Sequence, residues 1–140
     1  MSENNLLLDT NILIYSIDEN SHYIEPVRKL LINPDYNFFT TSKNISEFLA
    51  VVTEGPSPSL AVESALQAVK DFTRIFSLLY PTRESFVLFQ KMLSRYKPRG
   101  IKIHDLEIVS IALAHDVTQV VTIDYKDFSN IKEIELIKIV

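Results

Sequence analysis

The sequence predicts a three-layer α/β/α sandwich around a mainly parallel sheet. Short strand-like runs alternate with amphipathic helical stretches along the chain, and two of those runs end abruptly in an aspartate, at Asp9 and Asp124. Alternation of this kind builds right-handed crossovers and leaves the carboxyl ends of the strands open to a ligand.

The elements follow in order. Asn4 to Leu8 is an apolar run fit for a buried parallel strand, and Asp9-Thr10-Asn11 can cap the segment Ile12 to Ile17. Glu25 to Ile32 reads as a helix stopped by Asn33-Pro34. Phe38 to Thr41 reads as a second strand. The helix after it takes Ser42 as its cap and Ile45, Phe48, Leu49 and Val52 as its apolar stripe. Gly55 to Ser59 is a loop, and Ser59 is placed to cap a helix from Leu60 to about Arg74 with Val62, Leu66 and Val69 inward. Ile75 to Tyr80 is a third strand. Thr82 caps a helix through Phe86, Phe89, Leu93 and Tyr96, broken at Lys97-Pro98-Arg99-Gly100. Asp105 opens a helix to His115, Thr118 to Ile123 is a β-branched strand, and Glu135 to Val140 is a last strand at a sheet edge. There is no internal repeat, and 1–140 reads as one domain.

Composition narrows the chemistry. The chain has no cysteine, which removes disulfide scaffolds, thiolate metal sites and a cysteine nucleophile. His22, His104 and His115 form no close zinc-ligand pair. No apolar run approaches the roughly 20 residues that cross a bilayer, and Met1 to Asn5 lacks a basic leader, so no membrane association and a cytoplasmic location are expected. With 14 basic against 18 acidic residues the net charge is −4, unlike that of a generic nucleic-acid coat protein. Such a charge does not disfavour an enzyme that uses acids to hold metal ions.

The acids at the element ends carry the functional signal. Asp9 follows Leu6-Leu7-Leu8, and Asp124 follows Val120-Val121-Thr122-Ile123. Asp105 shares its helical stripe with Ile108, Val109 and Ala112. An inward carboxylate has to be neutralised, hydrogen-bonded or bound to a cation. Each acid taken singly also fits a plainer role, Asp9 as a cap and Asp105 as a partner of the helix dipole. Glu47 lies off the stripe of its helix, so periodicity alone leaves it in solvent. If the acids converge, a hard dication such as Mg²⁺ or Mn²⁺ relieves their repulsion and suits phosphodiester chemistry.

The motifs around these acids resemble those of PIN-domain nucleases, especially VapC-type toxins of toxin–antitoxin pairs. Leu-Leu-Leu-Asp9-Thr10-Asn11-Ile-Leu-Ile is similar to the family's opening motif. Thr41-Ser42-Lys-Asn-Ile-Ser46-Glu47-Phe48 resembles the second, Ile103-His104-Asp105 the third, and Val121-Thr122-Ile123-Asp124-Tyr125-Lys126-Asp127-Phe128 the fourth. The resemblance implies a PIN-like fold, Mg²⁺ or Mn²⁺ dependence, cleavage of RNA and a cognate antitoxin protein. It implies metal binding chiefly by Asp9 and Asp105, with Glu47 and Asp124 completing the acidic pocket. Thr10, Asn11 and Thr122 would hold those carboxylates through hydrogen bonds. Two residues depart from the pattern: Leu106 replaces a small residue after the third acid, and Ile123 a polar one before the fourth.

Other features are secondary. Lys91, Arg95, Lys97, Arg99 and Lys102 cluster around Tyr96, and Arg95, Lys97, Arg99 and Lys102 are candidate RNA contacts, with a solvated helix end as the plainer reading. Asp127 reads as a loop cap, with a fifth metal ligand as the alternative, and His104 as a loop residue. The helices between Ser59 and Tyr96 are a candidate homodimer face. Two rival functions remain, a non-catalytic PIN-like module that binds RNA or protein, and a phosphatase or phosphoacceptor domain with Asp9 as nucleophile.

Overall fold

The computed structural model describes residues 4–139 of the chain. Residues 1–3 of the leader reading and Val140 of the last predicted strand lie outside them. Five strands, β1 (Asn5–Leu8), β2 (Asn37–Thr41), β3 (Ser77–Leu79), β4 (Gln119–Val121) and β5 (Glu135–Ile137), form one sheet in the order β3-β2-β1-β4-β5. Every pairing is parallel, with Leu7 opposite Phe39 on one side and Val120 on the other. The chain runs outward from β1 through β2 to β3, then crosses back to β4. The carboxyl ends of β1 and β4 therefore form the switch point of the sheet, where α/β folds bind ligands.

The helices are α1 (Thr10–Ile17), α2 (Ile24–Leu31), α3 (Ser42–Glu54), α4 (Val62–Phe72), α5 (Arg83–Tyr96), α6 (Lys102–Ala114) and the single turn α7 (Tyr125–Phe128). The period-two pleat of β1 divides the core between them. Leu6 and Leu8 pack with Ile12, Leu13, Val27, Phe48 and Val52 on one face. Leu7 packs with Ile108, Ile111, Ala112 and Val120 on the other. A further cluster of Met92, Leu106, Val109, Phe128 and Ile131 joins α5, α6 and α7. The result is the predicted α/β/α sandwich, with β5 at the edge. The large residue after Asp105, Leu106, is buried in that last cluster.

Several details differ from the sequence reading. Thr41, not Ser42, caps α3: its side chain accepts from the Asn44 N–H, and Asn44 returns a bond to the cap backbone. Helix α4 begins after Ala61 with no side-chain cap, so Ser59 does not serve as one. Its buried residues are Ala65 and Phe72, while Val62 and Leu66 are exposed. The stripes 62-66-69 and 65-69-72 both have helical spacing, and burial of the Phe72 ring against Phe48 and Phe76 selects the second. Helix α6 starts three residues before Asp105, which lies in its first turn, so His104 is helical rather than in a loop. Thr82 caps α5 as expected, and Lys97 ends it in the left-handed conformation.

Phe48 is fully buried between the sheet and α4. Phe48→Ala should cost about 3–5 kcal/mol in chemical denaturation; a loss under about 1 kcal/mol would contradict this account of the core.

Candidate active site

The site is assembled where β1 and β4 end. The Asp9 N–H donates to the Val121 carbonyl at 3.0 Å, extending the strand pairing by one residue, and the Asp9 side chain then caps α1. Its Oδ1 accepts from the Thr10 N–H at 2.9 Å, and its Oδ2 accepts from the Thr122 hydroxyl at 2.8 Å. Asp9 is 8% exposed and Thr122 fully buried.

The other predicted polar residues extend this lattice. The Thr10 hydroxyl donates to Glu47 Oε1 at 2.9 Å, linking α1 to α3. Asn11 Nδ2 donates to Asp124 Oδ2 at 3.1 Å and to Thr122 Oγ1 at 3.2 Å, while the Asp124 N–H donates to the Thr122 hydroxyl. The Ile123 N–H donates to Asn11 Oδ1, so the backbone makes a bond here despite the apolar side chain. Asp9, Glu47 and Asp124 are thereby tied into one network. Asp105, on α6, lies near enough to Asp9 and Glu47 for their charges to raise it, and makes no hydrogen bond to them among the described residues.

Burial first, and mutual repulsion second, act on the carboxyl groups. Burial pushes Asp9 up to about 6, against the lowering effect of its bonds from Thr122 and Thr10; Glu47 and Asp124 raise it further. Burial raises Asp105 to about 7, followed by the fields of Asp9, Asp127 and Glu47, with Lys102 opposing. Among the described residues, no three acidic or histidine side chains already stand as a closed metal cluster. The donor set is nonetheless all carboxylate and hydroxyl oxygen, suited to a hard dication, and burial together with neighbouring negative charge raises two of its carboxyls. These residues fit a divalent ion.

Sequence reasoning misses Asn44. It is fully buried, and its Nδ2 donates to Thr10 Oγ1 at 3.0 Å and to Asp9 Oδ1 at 3.5 Å. Its Oδ1 accepts from the Thr41 hydroxyl at 2.6 Å. One amide thus joins the cap of α3 to the residues that hold two acids. The signal that could find it is the Thr41-to-Asn44 spacing of a capping box. Asp127 is not the expected loop cap. It lies within α7, faces the field of Asp105 and lines the same cleft, and the cap position belongs to Asp124, whose side chain makes no capping bond.

That cleft, of about 250 Å³, is lined by Tyr96, Lys97, Pro98, Arg99, Lys102, Asp105, Leu106, Asp127, Asn130 and Ile131. Three of the four candidate RNA contacts are in it. Arg95 is not, because its guanidinium pairs with Glu133. The Tyr96 hydroxyl also bonds Glu133 and accepts from the Lys132 N–H. His104 stands 4.0 Å from Glu107, while Glu107 pairs with Lys43.

A parallel sheet with an acidic pocket at its switch point defines a class of ligand-binding α/β domain, and the chain has a family within it. Residues 6–134 match the PIN domain, and the chain belongs to that family. Solved structures agree on the fold. VapBC-1 from nontypeable Haemophilus influenzae is 22% identical, with 96% of this chain and 98% of that one covered and a TM-score of 0.71. VapBC2 from Rickettsia felis, bound to a promoter DNA fragment, is 20% identical over 96% and 98%, at 0.70. Mycobacterium tuberculosis VapC20, a toxin that cleaves the sarcin-ricin loop, is 10% identical over 89% and 93%, also at 0.70. No curated protein sequence matches the chain significantly. No helix among the described residues is long and apolar enough to cross a membrane.

Asp9 moves from the ordinary 3.8 to about 6 on folding, so the metal-free native state binds more protons than the unfolded chain. This contribution is fully present below about pH 4 and is lost as pH rises through 6. Relative to Asp9→Asn, the metal-free wild type should therefore lose on the order of 3 kcal/mol between those limits. Urea titrations in chelator would show it, and a difference that grows in favour of wild type would contradict it. Saturating Mn²⁺ should abolish the decline.

Proposed function

We propose that this chain is a divalent-metal-dependent endoribonuclease, the toxin of a toxin–antitoxin pair. The observation that carries the reading is the pinned group of Asp9, Glu47 and Asp124 on separate elements, with Asp105 facing it, in a chain of PIN-domain family. Asp9 and Asp105 would be the principal metal ligands, and Glu47 and Asp124 would complete the pocket. Thr122 and the Thr10 amide would fix both oxygens of Asp9; the Thr10 hydroxyl would fix Glu47, and Asn11 would fix Asp124. Bound Mg²⁺ or Mn²⁺ supplies activation of water and neutralisation of charge on the phosphodiester.

In this scheme the chain's own contribution is orientation. Carboxylates that accept fixed hydrogen bonds cannot swing apart when the substrate's negative charge enters, so the pocket is ordered before RNA arrives. A nucleophilic role for Asp9 fits less well, because both of its oxygens are already engaged. The antitoxin and homodimer partners belong to the same reading. The complexes among the structural neighbours support the first, and exposed Phe86 and Val87 on α5 support the second. An acidic pocket is also complementary to a basic antitoxin side chain.

RNA cleavage should require Mg²⁺ or Mn²⁺, stop in chelator and fall to background in Asp9→Asn and Asp105→Asn with the fold retained by circular dichroism. Full activity in either variant would refute the assignment. Thr122→Val, which leaves every carboxylate in place, should lower metal affinity or activity about 10–100-fold; an unchanged metal titration would remove Thr122 from its holding role.

A further inference from the structure

Asp9, Glu47 and Asp124 are held to one another through Thr10, Asn11 and Thr122, whereas Asp105 makes no hydrogen bond to them among the described residues. Its helix is anchored further along, where Ile108, Ile111 and Ala112 pack on the sheet. Leu106, next to Asp105, packs with Met92 and Phe128. Neither contact runs from the first turn of α6 to α1 or α3. Like charge on Asp9, Glu47 and Asp105 pushes the two sides of the crevice apart.

One ion pair opposes that push. Lys43 Nζ on α3 lies 3.5 Å from Glu107 Oε1 on α6. Lys43 stands one turn before Glu47, and Glu107 two residues after Asp105, so the pair joins the stretches of helix that carry two of the acids. Among the described residues no other ion pair joins α6 to the layer of α1 and α3. Lys43 and Glu47 have a spacing that allows pairing along one helix. Lys43 is instead matched to Glu107, and Glu47 accepts from the Thr10 hydroxyl. The side chains of Lys43 and Glu107 are 28% and 32% exposed, whereas each arginine–carboxylate pair has a partner at 63% or more. A pair withdrawn from water is screened less by salt. His104 stands 4.0 Å from the same Glu107 oxygen, but it belongs to α6 and adds no link between the helices.

We propose that Lys43 and Glu107 are positioning residues: their ion pair spans the crevice between the two helical layers and sets the separation of Glu47 and Asp105, and with it the affinity of the pocket for a divalent ion. The proposal rests on the divalent-metal reading and adds to it the means by which the one unattached acid is held in register. A carboxylate that has to be drawn in when the ion arrives costs binding energy, and one already kept at its distance does not.

The test is Mn²⁺ binding to the full chain, followed by the paramagnetic resonance of free Mn²⁺. The variants are Lys43→Met, Glu107→Gln, the two together, and the reversed pair Lys43→Glu/Glu107→Lys. Charge alone would move the single variants in opposite directions, because losing a cation near the acids tightens a dication and losing an anion weakens it. Positioning moves both the same way, each weakening Mn²⁺ about tenfold. The double variant should then bind no more weakly than either single, and the reversed pair should regain most of the loss. Metal-free melting temperatures should stay within about 4 °C of wild type, as fits one partly exposed pair. Opposite shifts in the single variants, additive losses in the double, or no recovery in the reversed pair would each overturn the proposal. A wild type that binds no Mn²⁺ refutes the divalent-metal reading and the proposal with it. Wild-type binding that is lost in Asp9→Asn but unchanged in Lys43→Met and Glu107→Gln refutes the positioning pair alone.

Discussion

A carboxylate at the end of the central strand is the constraint on which the structure depends. Asp9 continues the β1–β4 ladder through its N–H, caps α1 through one oxygen and receives the buried Thr122 hydroxyl on the other. The backbone thus fixes this side chain where water is largely excluded, although its ionised form prefers water. Everything nearby answers that conflict. Hydroxyl and amide donors offset part of the cost, and the remaining charge is left for protons or a cation.

The topology makes the conflict useful. Because β1 lies at the centre and β4 joins on its far side, segments more than a hundred residues apart meet at one crevice, as the Asn11–Asp124 bond shows. Helices α1 and α3 bring Thr10 and Glu47 from one layer, and α6 brings Asp105 from the other. The ends of α5 and α6 then set a cationic rim beside an acidic interior. Arg95 and Tyr96 secure that rim through their bonds to Glu133.

Much of this is legible in the sequence, for reasons that differ from residue to residue. The apolar runs before Asp9 and Asp124 carry strand and acid together, so strand-end acids can be read locally. Glu47 cannot be placed by helical periodicity, because its contact runs sideways to Thr10 rather than down into the core. Asn44 draws no reading from the sequence, and its burial follows from partners contributed by α1 as well as by the cap of its own helix. Arg95 escapes a local reading for a similar reason: nothing near it in sequence announces Glu133. In α4, two stripes of equal spacing compete, and the packing of Phe72 on Phe48 decides between them. Local pattern gives elements and their ends; long-range pairing decides which polar groups meet.

The central claim is that a divalent ion completes the arrangement around Asp9 and Asp105. A crystal soaked in Mn²⁺ and measured for anomalous scattering tests it most directly. The account predicts a peak within bonding distance of both carboxylates, lost in a crystal of Asp9→Asn. A well-occupied manganese elsewhere with this pocket empty, or a peak unaffected by the substitution, would contradict it.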